Sequence, residues 1–219
     1  YNQYNQQLMY FPDGEYPPEP GLAEGYDVSD DGLTYTFDLR EDVTFHDGSE
    51  FTANDVVYSY RRLAESSNSR NKDDIVGQTL TVEHEKDQTL SEPTDEETLD
   101  DVVPGSLAVE ALDDFTVEMT LASPFEYTLF QIAGGAFAIL PENAVGDIEG
   151  YDGEYEYNEF FSTQGDGPTF AGSGPFQVDS WRKGSNISLT AFEDYYDGEP
   201  ELDGITYTVV GSGNTRLNR

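Results

Sequence analysis

Leu33, Tyr35, Phe37 and Leu39 alternate with Thr34, Thr36 and Asp38, so an extended chain here is apolar on one face and polar on the other. The same two-residue period recurs in Phe115, Val117, Met119 and Leu121, and in the shorter pair Phe176 and Val178. Ile187, Leu189 and Ala191, then Ile205, Tyr207 and Val209, complete five half-buried strands of the antiparallel or edge kind. One segment departs from that period. Ala53, Val56, Val57, Tyr60, Leu63 and Ala64 form a single helical stripe, and Thr52 with Asp55 stands at capping-box spacing before it. A second helix is expected over 124–133, with Pro124 in its first turn and Gly134 and Gly135 ending it. An extended apolar stretch is expected over 136–140. Segments 83–101 and 147–169 lack a period and read as surface loops. No internal repeat is present, and the class is mixed α/β.

Charge narrows what such a chain can meet. Its 219 residues carry 45 Asp and Glu against 10 Lys and Arg, a net charge of −35. That balance repels phosphate backbones and anionic lipid, which excludes nucleic acid as a partner. The longest apolar run, 132–140, is far too short to span a membrane. Acids are spread from Asp13 to Asp203 rather than gathered in a tail, and only Lys72, Lys86 and Lys183 are lysines. At about 1 M salt the screening length is roughly 3 Å, so diffuse acidity reads as adaptation to high ionic strength. With no cysteine, the chain has neither disulfides nor thiolate chemistry. Aromatic residues at 13% oppose disorder.

Few motifs offer chemistry. Asp27, Ser29, Asp31, Gly32 and Asp38 fit calcium-loop spacing, but the last positions fall on a strand and no helices flank them; a polar turn over 29–32 explains them better. His46 beside Asp47 could serve acid–base work, yet no serine adjoins it and no second histidine stands near it in sequence, and a turn histidine is the simpler reading. With 45 acids, no carboxylate pair is diagnostic. Gly172-Ser173-Gly174-Pro175-Phe176 precedes a strand rather than a helix, which argues against a phosphate cradle. Glycine there permits close approach of a ligand or of another backbone. Asn186-Ile187-Ser188 is a glycosylation sequon, consistent with an exported protein. No leader of charged then apolar residues opens the sequence, and the chain reads as a piece of something larger.

Four ordered blocks resemble the family 5 extracellular solute-binding proteins, the peptide- and nickel-type receptors of ABC importers. The first runs from Leu22-Ala23-Glu24 through Tyr26 and from Val28-Ser29-Asp30-Asp31-Gly32-Leu33-Thr34-Tyr35-Thr36-Phe37 to Leu39-Arg40. It continues through Val43, Phe45-His46-Asp47-Gly48, Phe51-Thr52-Ala53 and Asp55-Val56-Val57-Tyr58-Ser59. Val109, Ala111-Leu112-Asp113-Asp114 and Thr116-Val117 form the second, and Gly172 to Phe176 the third. Tyr195, Gly198, Pro200, Leu202-Asp203 and Ile205-Thr206 form the fourth. Tyrosines 26 and 196 stand where the family usually has tryptophan.

The resemblance implies a periplasmic-binding-protein-like class II fold of the large three-subdomain type, represented by its first lobe only. Residues 1–142 would form the peripheral subdomain of that lobe, the first few starting in the main sheet. Residues 143–219 would return to the lobe's main domain, and the second lobe would be absent. It also implies capture rather than catalysis, with no cofactor and no metal. The protein would be a monomer serving a membrane ABC permease, extracellular, at the cell surface and lipid-anchored. By the same resemblance the cleft wall would include Arg70, Gly135, Phe137, Ser173 and Gly174, while peptide, nickel chelate and sugar all stay open as ligands. Two other readings compete: a secreted acidic hydrolase using a carboxylate pair, and a calcium-stiffened surface protein built on 27–38.

Overall fold

The structure, a computed structural model, describes residues 3–12, 17–65, 75, 102–142, 171–182 and 184–210. Within these, β1 (Met9–Tyr10) pairs antiparallel with β2 (Glu19–Pro20). A four-stranded antiparallel sheet follows, from β3 (Ala23–Val28), β4 (Thr34–Leu39), β5 (Val109–Asp113) and β6 (Thr116–Thr120), in the order β3-β4-β6-β5. Helix α1 (Ala53–Glu65) packs against β5 and β6. A second sheet, β7 (Phe176–Arg182), β8 (Asn186–Ala191) and β9 (Gly204–Thr208), is antiparallel in sequence order. All five alternating segments are strands and the striped segment is a helix, as their periods require. No helix of the described residues is long and apolar enough to cross a membrane.

In the register, Tyr35 faces Met119 and Phe37 faces Val117, so the apolar phases of β4 and β6 lie on one face. Phe37, Val117 and Met119 are wholly buried, with Val56 and Tyr60 of α1 in the same core. Each such side chain contributes about 1.5–3 kcal/mol by leaving water. The β3–β4 turn consumes its own polar groups. Ser29 Oγ donates to Asp31 Oδ1 at 2.6 Å, Leu33 N donates to the same oxygen at 3.1 Å, and Gly32 takes φ +73°, which glycine adopts without strain. The polar turn expected over 29–32 is therefore what forms.

Two polar residues on the buried side of α1 escaped the apolar stripe. Asp55, 4% exposed, accepts from Thr52 N at 2.7 Å and from Glu142 N at 2.6 Å. Burial pushes its carboxyl above the usual carboxylate range, against the pull of those bonds. Ser59 Oγ donates to Leu140 O at 3.2 Å and accepts from Leu140 N at 2.8 Å. Together they fasten segment 140–142 to the helix. The capping box is only half made, because the Thr52 hydroxyl donates to the Asp55 carboxylate at 3.2 Å while Asp55 N goes to Thr52 O.

The expected helix over 124–133 shortens to α2 (Thr128–Ile132). Phe125 O accepts both Thr128 N at 3.2 Å and Thr128 Oγ1 at 2.7 Å, a tight turn that takes the place of the first helical turn. Gly134 does follow the helix end, but Gly135–Phe137 coil into one 3-10 turn instead of starting an extended run. Segments 83–101 and 147–169, expected as loops, lie outside the described residues.

Candidate ligand-binding surfaces

The segment from Gln3 to Met9 is the hub about which the site surfaces are arranged. Its carbonyls accept from three separate stretches: Gln3 O from Phe176 N at 3.0 Å and Tyr4 O from Gly174 N at 2.9 Å, Gln6 O from Ile139 N at 2.9 Å, and Gln7 O from Leu22 N at 3.0 Å. Gly172 and Gly174 permit this approach, since a Cβ on Gly174 would lie 2.7 Å from the Tyr4 carbonyl carbon. The glycine-rich turn thus admits another backbone. His46 locks the same seam: its Nδ1 accepts from Gly172 N at 3.1 Å and its Nε2 donates to Gly174 O at 2.8 Å. That pair of roles fixes a neutral ring, protonated on Nε2. The ring lies edge-on between Tyr4 and Phe192, and burial holds its pKa below the ordinary histidine value. His46 is a strut, one whose partners lie about 126 residues away in sequence.

Two hollows open on either side of Phe11. The first, of about 850 Å³, is apolar, walled by Phe11, Phe125, Tyr127, Phe130 and the 134–137 turn. Phe11 meets Phe130 edge-to-face at 5.0 Å, while Tyr127 and Phe130 are half exposed. The second, of about 470 Å³, is polar and includes Gln6, Gln7, Tyr10, Arg40, Tyr195 and Tyr196 in its lining. Gln6 Nε2 donates to the Tyr195 hydroxyl at 2.6 Å. The Arg40 guanidinium rests 4.4 Å over the Tyr196 ring and forms a two-pronged pair with Asp42 at 3.0 and 2.9 Å. Asp42 raises the Arg40 pKa and Arg40 lowers that of Asp42. Burial pushes both tyrosine hydroxyls above their ordinary value, so they stay neutral donors and acceptors.

Of the residues expected to wall a cleft, Gly135 and Phe137 come together on the apolar hollow. Phe137 is nearly buried and packs edge-to-face on Tyr60 at 5.4 Å. Ser173 and Gly174 sit at the seam with His46 and line neither hollow. Ser173 is 1% exposed and its Oγ has no partner. Arg70 lies outside the described residues. Sequence reasoning passed over Phe11, Gln6 and Gln7. The two glutamines carried one available signal, paired amides directly before the buried Leu8 and Met9. Among the described residues no group of three or more His, Cys, Asp or Glu gathers as a metal site would require.

The fold defines the class: structures similar to this chain are periplasmic-binding-protein-like receptors. The substrate-binding domain of an oligopeptide ABC transporter from Bacillus anthracis str. Ames matches 99% of the chain and 38% of its own at TM-score 0.75 and 26% identity. Listeria monocytogenes OppA bound to peptide matches 99% of the chain and 38% of its own at TM-score 0.71 and 26% identity. The dipeptide-binding protein of Escherichia coli K12 is 30% identical over 221 residues, 97% of this chain and 36% of the relative. The glutathione-binding protein GsiB of Escherichia coli O1:K1 is 31% identical over 196 residues, 89% of this chain and 30% of the relative. The model of the family described as bacterial extracellular solute-binding proteins, family 5 middle, matches residues 17–219, and the chain belongs to that family. It spans about a third of the length of these curated relatives.

Proposed function

We propose that the chain is part of the solute-capturing component of an ABC importer for peptides or similar small solutes. The observation that carries this reading is the pair of hollows meeting at Phe11, one aromatic and one polar, in a chain of this family. Relatives named for dipeptide, glutathione and oligopeptide binding support peptides as the solute. Residues 1–142 are proposed as a peripheral subdomain and 143–219 as the return to the main domain of the first lobe. A second lobe, carried by a longer polypeptide, would complete the cleft; Arg70, Gly135 and Phe137 are proposed for the wall on this side, and Ser173 and Gly174 are proposed to back it from the His46 seam. The proposed setting is extracellular, lipid-anchored and monomeric, delivering to a membrane permease, with no chemistry performed on the solute. Titrating the chain with trialanine, followed by nuclear magnetic resonance, tests this: millimolar, saturable binding is expected, and no saturable shift would overturn it.

The charge adds a proposed habitat of high salt. With −35 on 219 residues, repulsion at low salt should unfold the chain and about 1 M potassium chloride should restore it. Circular dichroism that is the same in both buffers would remove that part of the reading.

A further inference from the structure

We propose that the polar hollow is a subsite for a peptide group, read by the side-chain amide of Gln7; this rests on the solute-capture reading. Gln7 is 1% exposed, and neither its Oε1 nor its Nε2 has a hydrogen-bond partner. Gln6 Oε1, in the same lining, is also unpartnered, while its Nε2 is held by Tyr195. Buried amides of native proteins are almost always paired, because an unmet donor or acceptor keeps its full cost of leaving water. The backbone carbonyls of Gln6 and Gln7 themselves accept from Ile139 N and Leu22 N. What remains is an acceptor and a donor side by side on Gln7, with a second acceptor on Gln6.

That set selects its ligand. A carboxylate could engage only the Gln7 donor, and an ammonium only the acceptors. A peptide group presents both an N–H and a C=O and satisfies both ends of the Gln7 amide. The charges around the hollow agree: Arg40 is neutralised by Asp42, and Asp197 is a further acid in the lining. Such a rim does not favour an anion. A volume of about 470 Å³ lies within the span of small-molecule sites. Phe11 belongs to both hollows, so a peptide group beside Gln7 places a neighbouring side chain toward the aromatic walls.

The test pairs affinity with stability in molar potassium chloride. On adding trialanine, the Gln7 side-chain amide signals of the ¹⁵N-labelled wild-type chain should shift saturably, and potassium acetate should leave them in place. Gln7→Met, close in shape but without the amide, should weaken trialanine at least about tenfold. The same variant should melt higher than wild type, because an unpaired buried amide is gone. Equal affinity in the two chains overturns the subsite while leaving solute capture standing, and so does a lower melting temperature in Gln7→Met, which would mean that the amide is already bonded, as by an ordered water. Absence of any trialanine shift in wild type overturns both. Should Gln7→Met fail to fold, the wild-type shifts of Gln7 decide alone: saturable movement supports the subsite, and none rejects it.

Discussion

The two main sheets are built from the same alternating pattern but differ in how they are covered. In the four-stranded sheet, β4 and β6 turn Phe37, Val117 and Met119 into a core shared with α1, and all three are inaccessible. In the three-stranded sheet the apolar row runs Trp181–Ile187–Tyr207 and Val178–Leu189–Ile205 across the strands. Of these six, only Leu189 is buried, and Tyr207 is 49% exposed. Alternation therefore fixes which side chains share a face, while the helix stacked on that face decides how much stability the face yields. The first sheet brings its own lid in α1. The second is tied to the molecule chiefly along one edge, through the glycine-rich turn, His46 and the hub at 3–9.

The largest expected effect tests this contrast directly. Phe37→Ala empties a site at the centre of the first sheet and should cost about 3–5 kcal/mol. Tyr207→Ala removes a ring that is half in water and should cost less than about 1 kcal/mol. Urea unfolding in molar salt measures both. Equal losses would show that the second sheet has a core as tight as the first.

His46 carries the next effect, at the join between the two regions. Its neutral ring holds Gly172 N and Gly174 O, so His46→Leu leaves both groups unpaired and should cost about 1–3 kcal/mol. The pH dependence follows from the depressed pKa. The unfolded chain takes up a proton near the ordinary value of about 6.5 while the folded ring resists it, so stability is complete above that pH. It is lost as pH falls from there through the lowered folded value. Asp47, which acts in the opposite sense on the ring, reduces the shift without reversing it. Melting temperature against pH should show a decline below about 6.5 that is absent in His46→Leu. The same slope in both proteins would remove His46 from the join.

Much of this was legible in the sequence, for physical reasons that differ by element. A strand with one wet face must alternate, so β4, β6, β7, β8 and β9 announced themselves, as did the stripe of α1. Strands β3 and β5 did not, because each is mostly exposed and carries a bulge, at Glu24 and Leu112, that interrupts the period. A bulge at Asp179 likewise moves Trp181 onto the face of Phe176 and Val178, although odd and even positions should lie opposite. The candidate site was less readable. Gly135 and Phe137 were expected through resemblance, whereas Gln6 and Gln7 matter only because of what surrounds them after folding. Asp55 and Ser59 mislead for the same reason: their partners are 87 and 81 residues away. Period reports a residue's own face; it is silent about a distant partner.

The smallest expected effect sharpens the comparison at its boundary. Arg40 follows β4 of the first sheet and stacks on Tyr196, which follows the second sheet's β8, so a ring contact spans the two regions while the ion pair with Asp42 lies within the first. Its pair with Asp42 is largely in water, where such pairs are worth roughly 0–1 kcal/mol, and molar salt screens what remains. Arg40→Lys keeps the charge but loses the two-pronged geometry and the flat stacking surface. Urea unfolding should therefore place it within about 1 kcal/mol of wild type, and below the loss from His46→Leu. A larger loss than His46→Leu would mean that side-chain charge, rather than the backbone seam at Gly172 and Gly174, holds the second sheet against the first.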